Sequence, residues 1–132
     1  MSGFASGTDV PISKSRLEIE AMLQRNGATG IVSAWDGDTG RHFLEFKIPV
    51  LDAVRVVRVE VPMPSIEDPE IRYTPTGKRR ESSAAQRSWE QVCKQRWRQM
   101  KLILHAKLEA IRVGISTVER EFLADLGMPG GR

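Results

Sequence analysis

Nine Lys and Arg residues crowd into one stretch of the chain, Gly77 to Lys107, against two acids, Glu81 and Glu90. That stretch carries +7 in a chain whose net charge is only +3, so the remaining residues together carry −4. Within it Arg87, Lys94, Arg98, Lys101 and His105 recur at steps of seven, four, three and four, which on a helix places them on one side. Lys78, Arg79 and Arg80 stand just before that helix begins, where the backbone dipole also favours anions. Cations in a row suit phosphates in a row, because each neutralised phosphate of a nucleic-acid backbone releases condensed counterions. The candidate nucleic-acid-binding set is therefore Lys78, Arg79, Arg80, Arg87, Lys94, Arg98 and Lys101, with His105 able to join at mildly acidic pH. The competing reading of the same residues is the solvated polar side of an ordinary long helix.

Covalent chemistry finds much less to work with. Cys93 adjoins Val92 on an apolar stripe, with no histidine placed to activate it, and reads as inert packing. The carboxylate pairs Glu119/Glu121 and Asp36/Asp38 lack any supporting motif, and capping and turn formation account for three of the four. No nucleophile elbow, phosphate loop, HExxH or dinucleotide fingerprint is present. With one cysteine and two histidines, a zinc site would have to recruit carboxylates. The sequence therefore points to a non-enzyme without cofactor or metal. Trp89 and Trp97 have rings that could stack on bases, but they lie on the apolar stripe, so core packing is expected. Trp35, beside an Asp-Gly turn, is a weak candidate for an exposed aromatic, a hairpin end packed on the long helix being the preferred reading, and His42 shares a strand face with Leu44 and Phe46.

The elements that must position these residues follow from periodicity. Ala85, Trp89, Val92, Cys93, Trp97, Met100, Leu104, Leu108 and Ile111 fall at spacings of three and four, which predicts a helix from about Ser82 to Val113. Gly114 ends it, and Ser116 with Glu119 predicts a capping box opening a last short helix through Val118, Phe122, Leu123 and Leu126. Near the start, Ser13 or Ser15 can cap a short helix bearing Ile19, Met22 and Leu23. Ser15 would pair with Glu18 in a capping box, or Ser13 would let Ile12 and Leu17 act as a staple. Asn26-Gly27 stops that helix. Between the helices, Thr29 to Trp35, Arg41 to Ile48 and Val54 to Val61 alternate or favour β structure, separated by turn chemistry at Asp36 to Gly40 and Pro49 to Asp52. The result is an α+β fold: a short N-terminal helix, a three-stranded antiparallel meander, a long helix and a short C-terminal helix. Residues 62–80, with four prolines and the acids Glu67, Asp68 and Glu70, read as a long loop.

One domain over 13–127 is expected, flanked by tails at 1–12 and 128–132. No apolar run approaches the roughly 20 residues that cross a bilayer, and Met1 to Val10 have neither the basic nor the apolar region of a secretory signal. A lone cysteine fits a reducing cytoplasm.

Several phrases resemble a family of small proteins encoded by tailed phages and prophages. They are Lys14-Ser15-Arg16-Leu17-Glu18-Ile19-Glu20, Thr74-Pro75-Thr76-Gly77-Lys78-Arg79-Arg80, Trp89-Glu90-Gln91, Arg96-Trp97-Arg98, Lys107-Leu108-Glu109-Ala110, and Gly114-Ile115-Ser116-Thr117 with Glu121-Phe122-Leu123-Ala124. They fall in the same order over most of residues 14 to 126. The resemblance implies a phage origin and says little of mechanism. The α-β-β-β-α order is also that of the double-stranded RNA-binding domain, but the connecting loop is longer here and the lysine-rich helix start is not reproduced; fold analogy alone does not give function. The reading reached is a non-enzymatic phage accessory protein that binds nucleic acid, DNA or RNA, through a basic helix face. The alternative is a protein-interaction module inhibiting a host defence or replication complex. A homo-oligomer pairing through Leu102, Ile103 and Val113 stands as a third reading.

Overall fold

The computed structural model describes residues 14–36, 38, 41–50 and 53–126. Both expected tails lie outside those residues, as do Ser13, Gly37, Thr39, Gly40, Leu51, Asp52 and Gly127. The element order is α1 (Lys14–Arg25), β1 (Thr29–Asp36), β2 (Arg41–Val50), β3 (Ala53–Val61), a one-turn α2 (Pro69–Arg72), the long α3 (Ser82–Arg112) and α4 (Val118–Phe122), which runs into a 3-10 turn at Leu123–Asp125. This is the α+β arrangement that the periodicity predicts, with one added turn of helix in the connector. No helix among the described residues is long and apolar enough to cross a membrane.

The three strands pair antiparallel in the order β1-β2-β3. Strict alternation sends Leu44, Phe46, Ile48, Val57 and Val61 to one face, where they are buried. The other face keeps Phe43, Glu45, Arg58 and Glu60, with Phe43 opposite Glu60 and Glu45 opposite Arg58. Onto the apolar face pack Ile19, Met22 and Leu23 of α1, Trp97, Met100, Leu104 and Leu108 of α3, and Val118 and Phe122 of α4. Phe122 meets Phe46 edge to face at 5.9 Å, an arrangement that adds about 0.5–1.5 kcal/mol to the burial itself.

Helix α3 has 31 residues, about 46 Å at the usual rise, and so overhangs a sheet of short strands. Its N-terminal third is covered instead by the connector. Ile71, Ala85, Trp89 and Cys93 form a second buried cluster, flanked by Met63, Ile66 and Val92. The connector is therefore built rather than loose: Pro69 occupies the first turn of α2, where a missing N–H costs nothing, and Ile71 anchors that turn inward. Tyr73 and Arg79 then bridge across a tight hairpin. Gly77 turns its tip at φ +90°, with its N–H on the Thr74 carbonyl at 2.8 Å. Trp89 closes the lid by donating Nε1–H to the Pro64 carbonyl at 2.8 Å.

One helix start differs from the expected one, and at α1 one of the two expected caps is ruled out. Helix α1 begins at Lys14, so Ser15 lies inside the first turn and cannot cap it, while Ser13, the other candidate, lies outside the described residues. At α4 the cap is Thr117, not Ser116: its extended backbone lets Oγ1 accept from the Arg120 N–H at 3.1 Å. Glu119, freed from the expected capping box, instead pairs with Arg55 of β3 at 3.2 Å. The α1 stop is as expected, with Gly27 at φ +90° and Ala28 N–H bonded to the Leu23 carbonyl at 3.0 Å, the six-to-one bond of a Schellman motif.

Candidate nucleic-acid interface

A helix turning 100° per residue places Arg87, Lys94, Arg98 and Lys101 within about 60° of arc, spread over about 21 Å of length. The buried stripe of α3 occupies a different sector, so packing of Trp97, Met100 and Leu104 orients this strip without consuming it. Arg87, Lys94 and Arg98 are exposed. None of the three forms an ion pair with any described residue.

Lys101 is treated differently. Its Nζ donates to Glu18 Oε1 of α1 at 2.7 Å, closing the contact between the two helices. That hydrogen bond is the main reason the Glu18 carboxyl is held below the usual carboxylate range; partial desolvation opposes it, and the charges of Lys101 and Lys14 reinforce it. Beside the pair, α1 and α3 enclose an open cleft of about 690 Å³ whose lining includes Lys14, Glu18, Lys94, Arg98 and Lys101. Lys14 was not foreseen as a site residue. Nothing in the sequence says that the first turn of one helix lies beside the middle of another more than eighty residues later.

The three connector cations part company. Lys78 is exposed at the hairpin tip. Arg79 is exposed too, its guanidinium 5.8 Å from the Tyr73 ring centroid and Nη1 at 3.4 Å from the Tyr73 hydroxyl. Arg80 turns inward: Nη1 donates to the Ile71 carbonyl at 3.0 Å, to Ser88 Oγ at 3.1 Å and, more weakly, to the Glu70 carbonyl at 3.5 Å. It latches the connector onto α3. The fold thus gathers Lys94, Arg98 and Lys101 around one cleft and leaves Arg87 about 10 Å along the helix. Lys78 and Arg79 stand on the hairpin, and Arg80 is committed to holding that hairpin in place. His105 is exposed, further along α3 on the same side.

Other candidate chemistry stays dispersed. Cys93 is fully buried, and burial, assisted by Glu90, pushes its thiol up to about 12; the thiolate needed for nucleophilic work is scarce at neutral pH. Asp36 accepts the Asp38 N–H within its turn at 2.9 Å. Among the described residues no three His, Cys, Asp or Glu come together as a metal site. Trp89 and Trp97 are buried. Trp35 is 40% exposed and lies tilted against His42 at 6.4 Å. No family model, no curated protein and no solved structure matches the chain.

Proposed function

We propose that this protein is a non-enzymatic nucleic-acid binder that meets the phosphate backbone with the basic strip of α3. The tailed-phage resemblance extends the same proposal to a phage accessory role in the host cytoplasm. One observation carries the binding reading: Arg87, Lys94 and Arg98 lie on one side of a well-anchored helix, exposed and without an ion-pair partner among the described residues. A phosphate contact needs cations aligned and unpaired, as these three are. Fluorescence anisotropy with a labelled oligonucleotide tests it. Binding should be measurable at about 50 mM salt, and affinity should fall on a log–log plot with a slope of roughly 0.7–0.9 per phosphate contacted. Absence of binding at that salt overturns the reading.

A second reading has its own support. Leu102, Ile103, Val113 and Ile115 are exposed along and just beyond the outward side of α3, which suits a protein-interaction module or a self-associating one. A host-lysate partner retained after nuclease digestion would favour the first of these. A dimer by light scattering would favour the second.

A further inference from the structure

We infer that the cleft between α1 and α3 seats a backbone phosphate, which displaces the Glu18 carboxylate and takes over Lys101; this rests on the nucleic-acid reading above. Four cations, Lys14, Lys94, Arg98 and Lys101, face one carboxylate there. This local surplus equals the net charge of the whole chain, +3. Electrostatic surplus confined to a concave site raises the local concentration of anions more than the same charges spread over a convex surface.

The Glu18 side chain marks where an anionic oxygen rests: Oε1 sits 2.7 Å from Lys101 Nζ, a charge-assisted hydrogen bond that a phosphate oxygen reproduces. Both partners remain about one-third exposed, at 36% and 37%, so exchange requires no opening of the core. Helix α1 also begins at Lys14, and the positive end of its dipole adds to the same field. The remaining lining is Ser15, a hydroxyl, and Leu102, an aliphatic side chain. Among the described residues no aromatic ring lines the cleft, and those that line it offer no surface for stacking a base. The seat therefore reads phosphate and not sequence, and Arg87, further along α3, takes a neighbouring phosphate of the same strand.

The test is an anisotropy titration of labelled oligothymidylate and of a mixed sequence of equal length, at several salt concentrations, with the parent chain, Lys94→Ala/Arg98→Ala and Glu18→Gln. Circular dichroism melts verify that the variants fold. Lys94→Ala/Arg98→Ala should weaken binding about ten-fold at low salt and reduce the salt slope by about 2. Glu18→Gln should tighten it several-fold with the salt slope unchanged, because the phosphate meets Lys101 in both proteins and only the competing carboxylate is lost. The two sequences should agree within about three-fold, since backbone contacts carry no sequence information. Inorganic phosphate at matched ionic strength should displace the strand no better than chloride. Displacement at micromolar phosphate would make a free phosphate compound the ligand and overturn the assignment. If the parent binds but either variant behaves like it, or one sequence is strongly preferred, the cleft assignment fails while nucleic-acid binding stands. If the parent does not bind at all, both fall together.

Discussion

The outer face of the sheet and the strip on α3 hold comparable numbers of arginines and lysines and use them in opposite ways. On the sheet, Arg41 reaches Glu60 at 3.6 Å, Arg58 reaches Glu45 at 4.0 Å, and the Arg58 guanidinium covers the Phe43 ring at 3.9 Å. Cross-strand register brings opposite charges side by side, and each such pair contributes roughly 0.2–1 kcal/mol. On α3, Lys94 and Arg98 stand four residues apart with the same sign, a spacing that costs a helix about 0.2–0.5 kcal/mol. The sheet spends its charge on its own fold. The helix carries a small repulsion and keeps its charge available. A count of basic residues cannot separate the two regions; pairing geometry does.

The largest expected effect attacks what holds the strip in place. Trp89 is buried in the second cluster and hydrogen-bonded to Pro64; Trp89→Ala should cost about 3–5 kcal/mol. Because the overhanging third of α3 depends on that cluster, Arg87 loses its support while the sheet face keeps its pairs. Denaturant melts measure the loss. Thiol labelling localises it: Cys93, fully buried with its thiol pushed up to about 12, should resist a maleimide in the parent and react quickly in the variant. Slow labelling in a destabilised variant would mean that the connector cluster and the sheet core are one cooperative unit.

Reversing the strip with Arg87→Glu, Lys94→Glu and Arg98→Glu should weaken oligonucleotide binding at least about 100-fold, roughly 2.7 kcal/mol. Exchanging the sheet pair, Arg41→Glu with Glu60→Arg, should leave binding within about two-fold and stability within about 1 kcal/mol. Equal losses from both would show that overall charge, not alignment, attracts the ligand.

Residue patterning made some of this legible and left the rest dark. The stripe from Ala85 to Leu108, the alternation of Leu44, Phe46 and Ile48, and the Asn26-Gly27 stop each follow from local rules, and the elements stand where those rules put them. The α2 turn was not legible, because Pro-rich spacing hides a four-residue helix whose stability comes from Ile71 reaching a distant Trp89. Thr117 caps α4 in place of Ser116, and Glu119 pairs with Arg55, a residue sixty-four positions away. At the candidate site, periodicity aligned Arg87, Lys94, Arg98 and Lys101, but only tertiary packing brings Lys14 and Glu18 against them and turns Arg80 inward. Partnership across long sequence separations is what local spacing cannot carry.

The smallest effect is a dependence on pH that the sheet pairs do not share. The Lys101 hydrogen bond holds the folded-state Glu18 carboxyl below the ordinary value of 4.5. The pair's contribution to stability is therefore complete above that ordinary value and is lost as pH falls through the lowered one. Between pH 7 and 5 Glu18 stays ionised, and its grip on Lys101 should not change. Only as pH falls through that lowered value does protonation of Glu18 remove the carboxylate that competes for Lys101, while phosphodiesters remain ionised. With oligothymidylate, whose base does not take up a proton in this range, the affinity of the parent should rise several-fold as pH drops through that value. Glu18→Gln should lack that increment, since its Lys101 is already free. Other carboxylates also titrate in this window, so the difference between the two proteins is the quantity to measure. Parallel curves would mean that Lys101 never reaches the ligand, and would confine the spare charge of α3 to Arg87, Lys94 and Arg98.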